Sequence, residues 1–349
     1  MANYYIWTVG CQMNVADSEQ LAAQLEALGY TRAGSPEAAD VVVVNSCVVR
    51  QHAEDRVANK LNALNASKKV RPSQTIALMG CMVGPKTDDL RRRFPHVDVF
   101  MRPQDFGPLL ATARTQAATE GCLPAPVELP VNGPTAFVNI VHGCDNFCTF
   151  CIVPYRRGRE RSRPLAEVVA EVEGLVARGV REVTLLGQKV DSYGHDLGPD
   201  LDLADLLTAV DAVDGLDRIR FLTSYPLGVT DKLIDRVARL DKVCEHINIP
   251  VQSGDDAVLA AMHRGYTMAQ YRDRIARIKA GIPGVSLSTD IITGFSGEDE
   301  GAFERTLNLL GEVRFDVVHV AAYSVRPGTI AARTLADDVP DEVKKARLQ

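Results

Sequence analysis

An α/β protein, made of an N-terminal open parallel sheet followed by a partial (β/α)6 barrel, is what this sequence predicts. Three observations carry that expectation. Strand-like and helix-like patterns alternate along nearly the whole chain, the mark of parallel sheets with helices on their faces. At 349 residues the chain exceeds one ordinary domain and has room for two cores. Between two runs of alternation lies TEGCLPAPVELPVNGP, whose prolines and glycines read as a linker. The expected boundaries are 1–118 for the first domain, 119–134 for the linker, 135–335 for the barrel and 336–349 for the start of a further linker.

In the first part, YYIWTVG (4–10) reads as a strand. NVADSEQLAAQLEALG (14–29) reads as a helix, with apolar residues at helical spacing and a closing glycine. VVVVNS (41–46) has the unbroken apolar run of a strand buried on both faces. The polar stretch after it places Val57, Leu61 and Leu64 on one helix face, and QTIALMG (74–80) and VDVFM (97–101) supply a third and a fourth strand. In the second part, strands are expected at 135–143, 181–187, 218–224, 243–251, 285–295 and 316–324, with amphipathic stretches such as 165–179 and 267–281 between them. Six such units predict a parallel barrel or partial barrel, its working groups in the loops after the strands.

Composition narrows the class. With 46% hydrophobic and 24% charged residues, the chain reads as globular and water-soluble. No apolar run approaches a membrane span, and MANYYIWTVGCQ lacks the basic start and apolar core of a signal peptide. The expected address is therefore the cytoplasm, with no membrane partner. Thiols stay reduced there, so eight cysteines read as ligands or inert core thiols rather than disulfides. A net charge of −6 argues against a chain that is basic all over, though a local basic patch could still meet a polyanion.

Two sets of cysteines stand out. Cys11, Cys47 and Cys81 each follow a predicted strand of the first domain, and the carboxyl ends of such strands are where open α/β sheets bind ligands. They either converge at one edge of the sheet or are three unrelated buried thiols. The second set lies in HGCDNFCTFC (142–151), where Cys144, Cys148 and Cys151 put three soft donors within eight residues. Structural zinc usually takes two separated pairs, and a ferredoxin needs a fourth cysteine. Cys122 in the linker and Cys244 in the barrel stand in no ferredoxin spacing to it. The simple reading is a 4Fe-4S cluster with three irons tied to protein and one left open.

That spacing, with Phe150 before the third cysteine, resembles the signature of the radical S-adenosylmethionine (SAM) enzymes. The resemblance extends along nearly the whole chain to the methylthiotransferase family within that group. GCQMN (10–14), NSCVVR (45–50) and GCM (80–82) match its N-terminal motifs. CTFCIVPYRRGRERSRP (148–164), LLGQKVDSYG (185–194), PVQSG (250–254), TDIITGFSGE (289–298) and YSVRPGT (323–329) match its barrel motifs. GCQMN and LLGQKVDSY sit nearest the members that modify N(6)-isopentenyladenosine in tRNA. Members acting on a ribosomal protein or on threonylcarbamoyladenosine differ there. The expected barrel is then the radical SAM partial (β/α)6 barrel.

What the resemblance implies is specific. Cys144, Cys148 and Cys151 would hold the radical SAM 4Fe-4S cluster, and Cys11, Cys47 and Cys81 an auxiliary 4Fe-4S cluster. Two molecules of SAM per turnover would serve, one as methyl donor and one as radical source, to replace the C-2 hydrogen of the adenine with a methylthio group. Phe150, Gly187, Gln188, Gln252, Ser253, Asp290, Gly294 and Glu298 would line the SAM site, although loop bonding and helix capping also suit several of them. Asn14 would lie near the auxiliary cluster or cap the first helix. Arg156, Arg157, Arg159, Arg161 and Arg163 form the densest positive stretch and would meet the phosphates of an anticodon stem-loop, unless they are a solvated turn. RRRF (91–94) is a weaker candidate, and His142 reads as a strand-end histidine. No side-chain acid or base is assigned, since the cofactors carry the hard chemistry. An electron donor such as a flavodoxin or ferredoxin is implied as a partner.

Ser296 stands where the family usually has proline, and 224–234 and 80–86 also drift from its wording, without touching an expected ligand. The family continues into a C-terminal β-rich RNA-binding domain, of which 336–349 would be the approach. Rival readings are methylthiolation of a ribosomal protein side chain or of threonylcarbamoyladenosine in tRNA. A rival of another class is a non-catalytic iron–sulfur electron carrier.

Overall fold

The computed structural model describes residues 2–49, 51–119, 127 and 133–349. Most of the proline-rich stretch expected as a linker, and Cys122 with it, lies outside the described residues. The chain divides into two compact units: Met1–Asn132 with Tyr155–Arg157, and Gly133–Pro154 with Gly158–Gln349.

The first unit runs β1 (Asn3–Thr8), α1 (Gln12–Ala27), β2 (Thr31–Arg32), β3 (Val41–Ser46), α2 (Gln51–Val70), β4 (Thr75–Gly80), α3 (Asp88–Arg93), β5 (Val99–Met101) and α4 (Gly107–Thr119). Among the described residues its strands form one five-stranded parallel sheet in the order β2-β1-β3-β4-β5. β3 and β4 are buried at every position, which accounts for their unbroken apolar runs. Leu21 and Leu25 of α1 and Leu109 and Ala113 of α4 pack with Tyr4, Val43, Ala77 and Met79. Val57, Leu61 and Leu64 form the buried face of α2. Each large aliphatic side chain so enclosed contributes about 1.5–3 kcal/mol. The helix α1 ends as its glycine predicts: Gly29 takes φ +86°, and the N–H groups of Gly29 and Tyr30 close on the carbonyls of Glu26 and Leu25. The short β2 has no sequence signal, because two exposed residues, Thr31 and Arg32, make the whole strand.

The second unit runs β6 (Thr135–Asn139), β7 (Val141–His142), α5 (Val153–Arg157, whose last three residues belong to the first unit), β8 (Arg161–Ser162), α6 (Leu165–Val176) and β9 (Glu182–Leu186). It continues through α7 (Leu203–Asp211), β10 (Arg218–Phe221), α8 (Asp231–Arg239), β11 (His246–Asn248), α9 (Asp256–Ala261), α10 (Met268–Gly281) and β12 (Ser286–Thr293). The last elements are α11 (Glu300–Val313), β13 (Val317–Ala322), α12 (Ile330–Thr334) and α13 (Asp341–Leu348). The parallel ladders β6-β9-β10 and β11-β12-β13 are joined by a bridge from Ile219 to Val243, so six parallel strands follow one another around a partial barrel. Polar caps start the helices: Asp202 and Asp205 form a capping box on α7, Thr267 and Gln270 another on α10, and Asp299 caps α11. Residues 341–348, read from sequence as the start of a linker, form α13, which packs on β12 and β13.

The loop from β11 to α9 lies against the backbone of α11. Gly254 N–H donates to Thr306 Oγ1 at 2.8 Å, and an added Cβ would stand 2.6 Å from Thr306 Cα and 2.7 Å from Arg305 O. Backbone of a packed helix cannot swing aside. Gly254→Ala is therefore expected to cost about 2 kcal/mol and to lower the melting temperature by about 5 °C. Thermal unfolding of the purified variant checks this, and an unchanged melting temperature would show that the loop gives way instead.

Candidate functional site

In the first unit, the loops after β1, β3 and β4 carry Cys11, Cys47 and Cys81, and these strands are neighbours in the sheet. A buried polar network lies beneath them. Asn14 Nδ2 donates to Asn45 Oδ1 at 2.9 Å and to Ser46 O at 3.0 Å. Asn45 Nδ2 returns bonds to Asn14 O at 2.7 Å and Ser18 Oγ at 2.8 Å. Ser46 Oγ donates to Met79 O at 2.5 Å and accepts Met82 N–H at 3.1 Å, while Cys81 N–H reaches Ser46 O at 2.9 Å. The Cys11 thiol donates to Asn14 Oδ1 at 3.4 Å. Asn14 is thus a brace beside Cys11 and makes no cap bond on α1. Gly10 at φ +146° and Gly80 at φ +94° lead into their cysteines, and an added Cβ at either would run into Asn14 or Asn45.

Arg157 and Asp17 complete this site. Both are buried, and their side chains meet at 2.9 Å; Gln104 also donates to Asp17 at 3.2 Å. Burial pushes the Asp17 carboxyl up despite Arg157. Burial also disfavours the Arg157 charge, but Cys81, Asp17 and Cys11 more than offset it, and the guanidinium hydrogen-bonds Cys81. Burial pushes the Cys81 thiol up to about 11.

In the second unit, Cys144, Cys148 and Cys151 sit in the loop after β6 and β7. Gly143 at φ +76° turns the chain into it, close against the carbonyls of Gly158 and Arg159. Cys144 N–H donates to Gly158 O at 3.2 Å, and Cys151 N–H to Cys148 O at 2.9 Å. Thr149 pins the loop to α9, its N–H on Met262 O at 3.0 Å and its hydroxyl on Ala261 O at 2.8 Å. Phe150 packs edge-on to Phe295, which meets Tyr323 at 4.8 Å. Burial raises the Cys144 thiol and pushes that of Cys151 up to about 12. Arg264 donates to Cys148 Sγ at 3.3 Å.

The donor sets suit a large cationic core. All six groups are thiols, soft donors of the type that selects iron–sulfur clusters. Burial disfavours the bare thiolate of Cys81, Cys144 and Cys151, a balance that a bound metal core would restore. Among the described residues no three His, Cys, Asp or Glu groups are placed to hold a single ion.

The rim of the barrel carries polar atoms that the protein leaves unpaired. Both amide atoms of Asn139, Gln188 Oε1, Ser224 Oγ and Thr293 Oγ1 are buried without a hydrogen-bond partner, at or just past the ends of β6, β9, β10 and β12. Such groups need a partner from outside the chain. Thr223 at φ 74° and Gln252 at φ 73° hold strained backbone at the same rim. Gly187 fits tightly, since an added Cβ would stand 3.2 Å from Val141 and Val190. Asp290 accepts from Asn248 at 3.3 Å, and Ser253 Oγ accepts the Asp255 N–H at 3.2 Å, so Ser253 shapes a loop.

Other expectations change. Glu298 is a brace: its carboxylate takes the Gly294 N–H at 2.7 Å and Arg347 of α13 at 2.8 Å, both bonds buried or nearly so. Gly294, at φ +70°, lies under the Lys344 stem. Of the five arginines, Arg157 faces Asp17, and Arg163 is held by Glu171 at 2.7 Å and Asn139 O at 2.9 Å. Arg156 lies half-buried against Gly84. Only Arg159, paired with Asp145 yet 79% exposed, and Arg161 present their charge to solvent. His142 pairs through β7 with Arg161 of β8. Sequence reasoning missed Asn139, Ser224, Thr293, Asn45, Asp17 and Arg264. For Asn139, Ser224, Thr293 and Asn45 the available signal was a polar residue at or just past the carboxyl end of a strand; Asp17, within α1, and Arg264, after α9, had none.

Residues 3–102 match "Uncharacterized protein family UPF0004", and residues 138–310 match the Radical SAM superfamily. Over 350 aligned residues the chain is 50% identical to tRNA-2-methylthio-N(6)-dimethylallyladenosine synthase of Dehalococcoides mccartyi (strain CBDB1), covering all of this chain and 81% of that protein. It is 50% identical to the protein of the same name from Chloroflexus aurantiacus, covering 99% of this chain and 75% of that one. The chain belongs to this family. Membership of the radical SAM superfamily implies a 4Fe-4S cluster and SAM. Among solved structures, the radical SAM methyltransferase TsrM of Kitasatospora setae shares the fold, with a TM-score of 0.69 at 13% identity over 95% of this chain and 77% of that one. No helix among the described residues is long and apolar enough to cross a membrane.

Two outcomes follow from the buried charges. Arg157→Met leaves the Asp17 carboxylate unpaired and is expected to cost about 3–5 kcal/mol, seen as a lower denaturant midpoint. Adding Asp17→Asn should recover most of that loss, and a double variant no firmer than the single would show that the pair is not its source. Asp191, behind the loop after β9, accepts the Tyr225 N–H at 2.6 Å, and burial pushes its carboxyl up to about 7 from 3.8. A carboxyl raised on folding stabilises most below its unfolded value and loses that contribution as pH rises to its folded one. Unfolding free energy should therefore fall between about pH 4 and 7 in the parent and fall less in Asp191→Asn. Equal slopes in denaturant titrations across that window would refute the assignment.

Proposed function

We propose that this chain is a tRNA methylthiotransferase that replaces the C-2 hydrogen of N(6)-isopentenyladenosine, beside the anticodon, with a methylthio group. The observation that carries the reading is the pair of thiol trios. Each lies in loops at the carboxyl ends of parallel strands, one trio per unit, in a chain 50% identical along its length to enzymes of that name.

In this reading Cys144, Cys148 and Cys151 hold the radical SAM cluster, and Cys11, Cys47 and Cys81 hold a second 4Fe-4S cluster. When bound, the clusters and two molecules of SAM supply the methylated sulfur and the 5′-deoxyadenosyl radical that side chains cannot. The protein's part is placement. Asn14, Asn45 and Ser46 tie the three loops of the first trio to one another, so that its sulfurs keep one arrangement. Asn139, Gln188, Ser224 and Thr293 offer hydrogen bonds to the amino, carboxylate and ribose groups of SAM. Gln252, Asp290 and Gly187 shape the rim around them, and Phe150 shields the cysteine loop with Phe295. Arg159 and Arg161 meet phosphates of the anticodon stem-loop, a contact weakened by salt. The electron comes from a low-potential one-electron donor such as a flavodoxin or ferredoxin, and the reaction takes place in the cytoplasm.

The test is an anaerobic assay of the iron- and sulfide-loaded chain with SAM and dithionite. Two acceptors compete, an isopentenylated anticodon stem-loop and a small-subunit ribosomal protein, and mass spectrometry reports which gains the methylthio group. Gain on the RNA supports the proposal, whereas gain on the protein alone overturns the substrate. Cys144→Ala should abolish 5′-deoxyadenosine formation. Cys47→Ala should keep most of that formation and lose the methylthio product, and loss of both activities in Cys47→Ala would refute the division of labour.

A further inference from the structure

Each thiol trio has a buried arginine donating to one of its sulfurs, but the two guanidiniums are not balanced alike. Arg157, beside Cys81, faces the Asp17 carboxylate, so that pair carries no net charge. Arg264 donates from Nη1 to Cys148 Sγ at 3.3 Å, from Nη2 to Pro250 O at 2.9 Å and from Nε to the Tyr266 hydroxyl at 3.2 Å. Its guanidinium lies over the rings of Tyr225 and Tyr266, at 5.2 and 5.4 Å from their centroids. The Tyr225 hydroxyl closes the cage by donating to the Arg264 carbonyl. Only 7% of Arg264 is exposed.

Among the described residues no carboxylate pairs with Arg264; its neighbours are tyrosines, a carbonyl and thiols. A carbonyl, a hydroxyl and two ring faces supply partial dipoles only. A guanidinium held out of water is unfavourable until a full negative charge stands beside it. The thiols are the remaining source of such a charge. The planar fork matters as well, since one guanidinium reaches a sulfur, a carbonyl and a hydroxyl in three directions at once, which an ammonium could not do from the same place.

We propose that Arg264 is a positioning residue that supplies the counter-charge for the cluster held by Cys144, Cys148 and Cys151, and thereby favours its one-electron reduction. The proposal rests on the reading of those cysteines given above. Three thiolates make the bound group anionic, and the incoming electron, taken from an external one-electron donor, adds a further negative charge. A cation fixed beside one sulfur stabilises the more negative state more strongly. The Arg157–Asp17 pair, being neutral, adds no such bias of its own beside Cys81, where Arg156 also stands in reach of the thiol.

The test compares the full-length parent with Arg264→Gln and Arg264→Lys, each loaded anaerobically with iron and sulfide. Iron and sulfide are counted first. An electron paramagnetic resonance titration with dithionite then follows the signal that added SAM perturbs. At the potential where the parent is half reduced, the ratio of reduced to oxidised cluster in Arg264→Gln should fall roughly tenfold or more at unchanged iron content, each tenfold in that ratio being 59 mV for a one-electron couple. Arg264→Lys, which keeps the charge, should stay near the parent. Full iron content and the parent's potential in Arg264→Gln overturn the proposal. If Arg264→Gln takes up no iron, Arg264→Lys decides: loading at the parent's potential upholds the need for charge, and failure of both variants assigns Arg264 to packing and overturns it. A parent that binds no iron through these thiols would overturn the reading of the cysteines instead, an outcome the iron count distinguishes from the others.

Discussion

Asn14 and Asn45 exchange hydrogen bonds in both directions, and the placing of the first thiol trio depends on that exchange. Three cysteines from loops far apart in sequence would otherwise each follow its own loop. The sheet brings the loops side by side because β1, β3 and β4 are neighbours, but adjacency alone leaves each loop free to twist. The amides remove that freedom. Asn14 is fixed one turn into α1, Asn45 lies on the last turn of pleat in β3, and Ser46 carries the link to β4 through Met79 O. Each polar atom in this network is satisfied within the protein, so the arrangement is built before any ligand arrives. The glycines before Cys11 and Cys81 follow from the same constraint, since any side chain there would strike an amide.

The barrel is built on the opposite principle. At its rim the amide of Asn139, the Gln188 carbonyl and the hydroxyls of Ser224 and Thr293 are enclosed and unpaired. Unsatisfied buried groups cost about 1–3 kcal/mol each, so the rim is poised to gain from a ligand that supplies the missing donors and acceptors. One unit therefore satisfies the polar groups around its thiol trio within the protein, and the other leaves polar groups at its rim unpaired. In the proposed reading, that difference suits a group resident at the first trio and a cosubstrate exchanging at the second.

How much of this the sequence disclosed depends on the range of the interaction involved. The strands were legible because a parallel strand buried on both faces must be mostly apolar, as 41–44 and 76–79 are. The cysteines were legible because strand ends mark ligand sites and because Cys144, Cys148 and Cys151 lie within one loop. Charged residues were not. Arg157 sits in an arginine-rich run and looks like a surface residue until Asp17, 140 positions away in sequence, closes on it. Glu298 follows a glycine loop and looks available to a ligand until Arg347, 49 positions on, takes it. A long polar side chain has no local pattern that reveals its partner, whereas an apolar side chain needs only to be inside. Asn139 and Thr293 were hidden for a related reason: in sequence a polar strand end looks like the start of a solvated loop.

The buried arginines show why burial and charge must be read together. Burial disfavours a free thiolate and a free guanidinium alike, yet the two trios set them side by side. Around Cys81 the conflict is resolved inside the protein, because Asp17 balances Arg157 whether or not anything is bound. Around Cys148 it is not, because Arg264 meets only dipoles and sulfur. The excess positive charge held there is of the sign that, in the proposed reading, favours an incoming electron. A fold that needed the same cysteines only as structural ligands would gain by pairing Arg264 with a carboxylate, as it does Arg157. Leaving that carboxylate out gives the balancing role, in the proposed reading, to the group the thiols would hold.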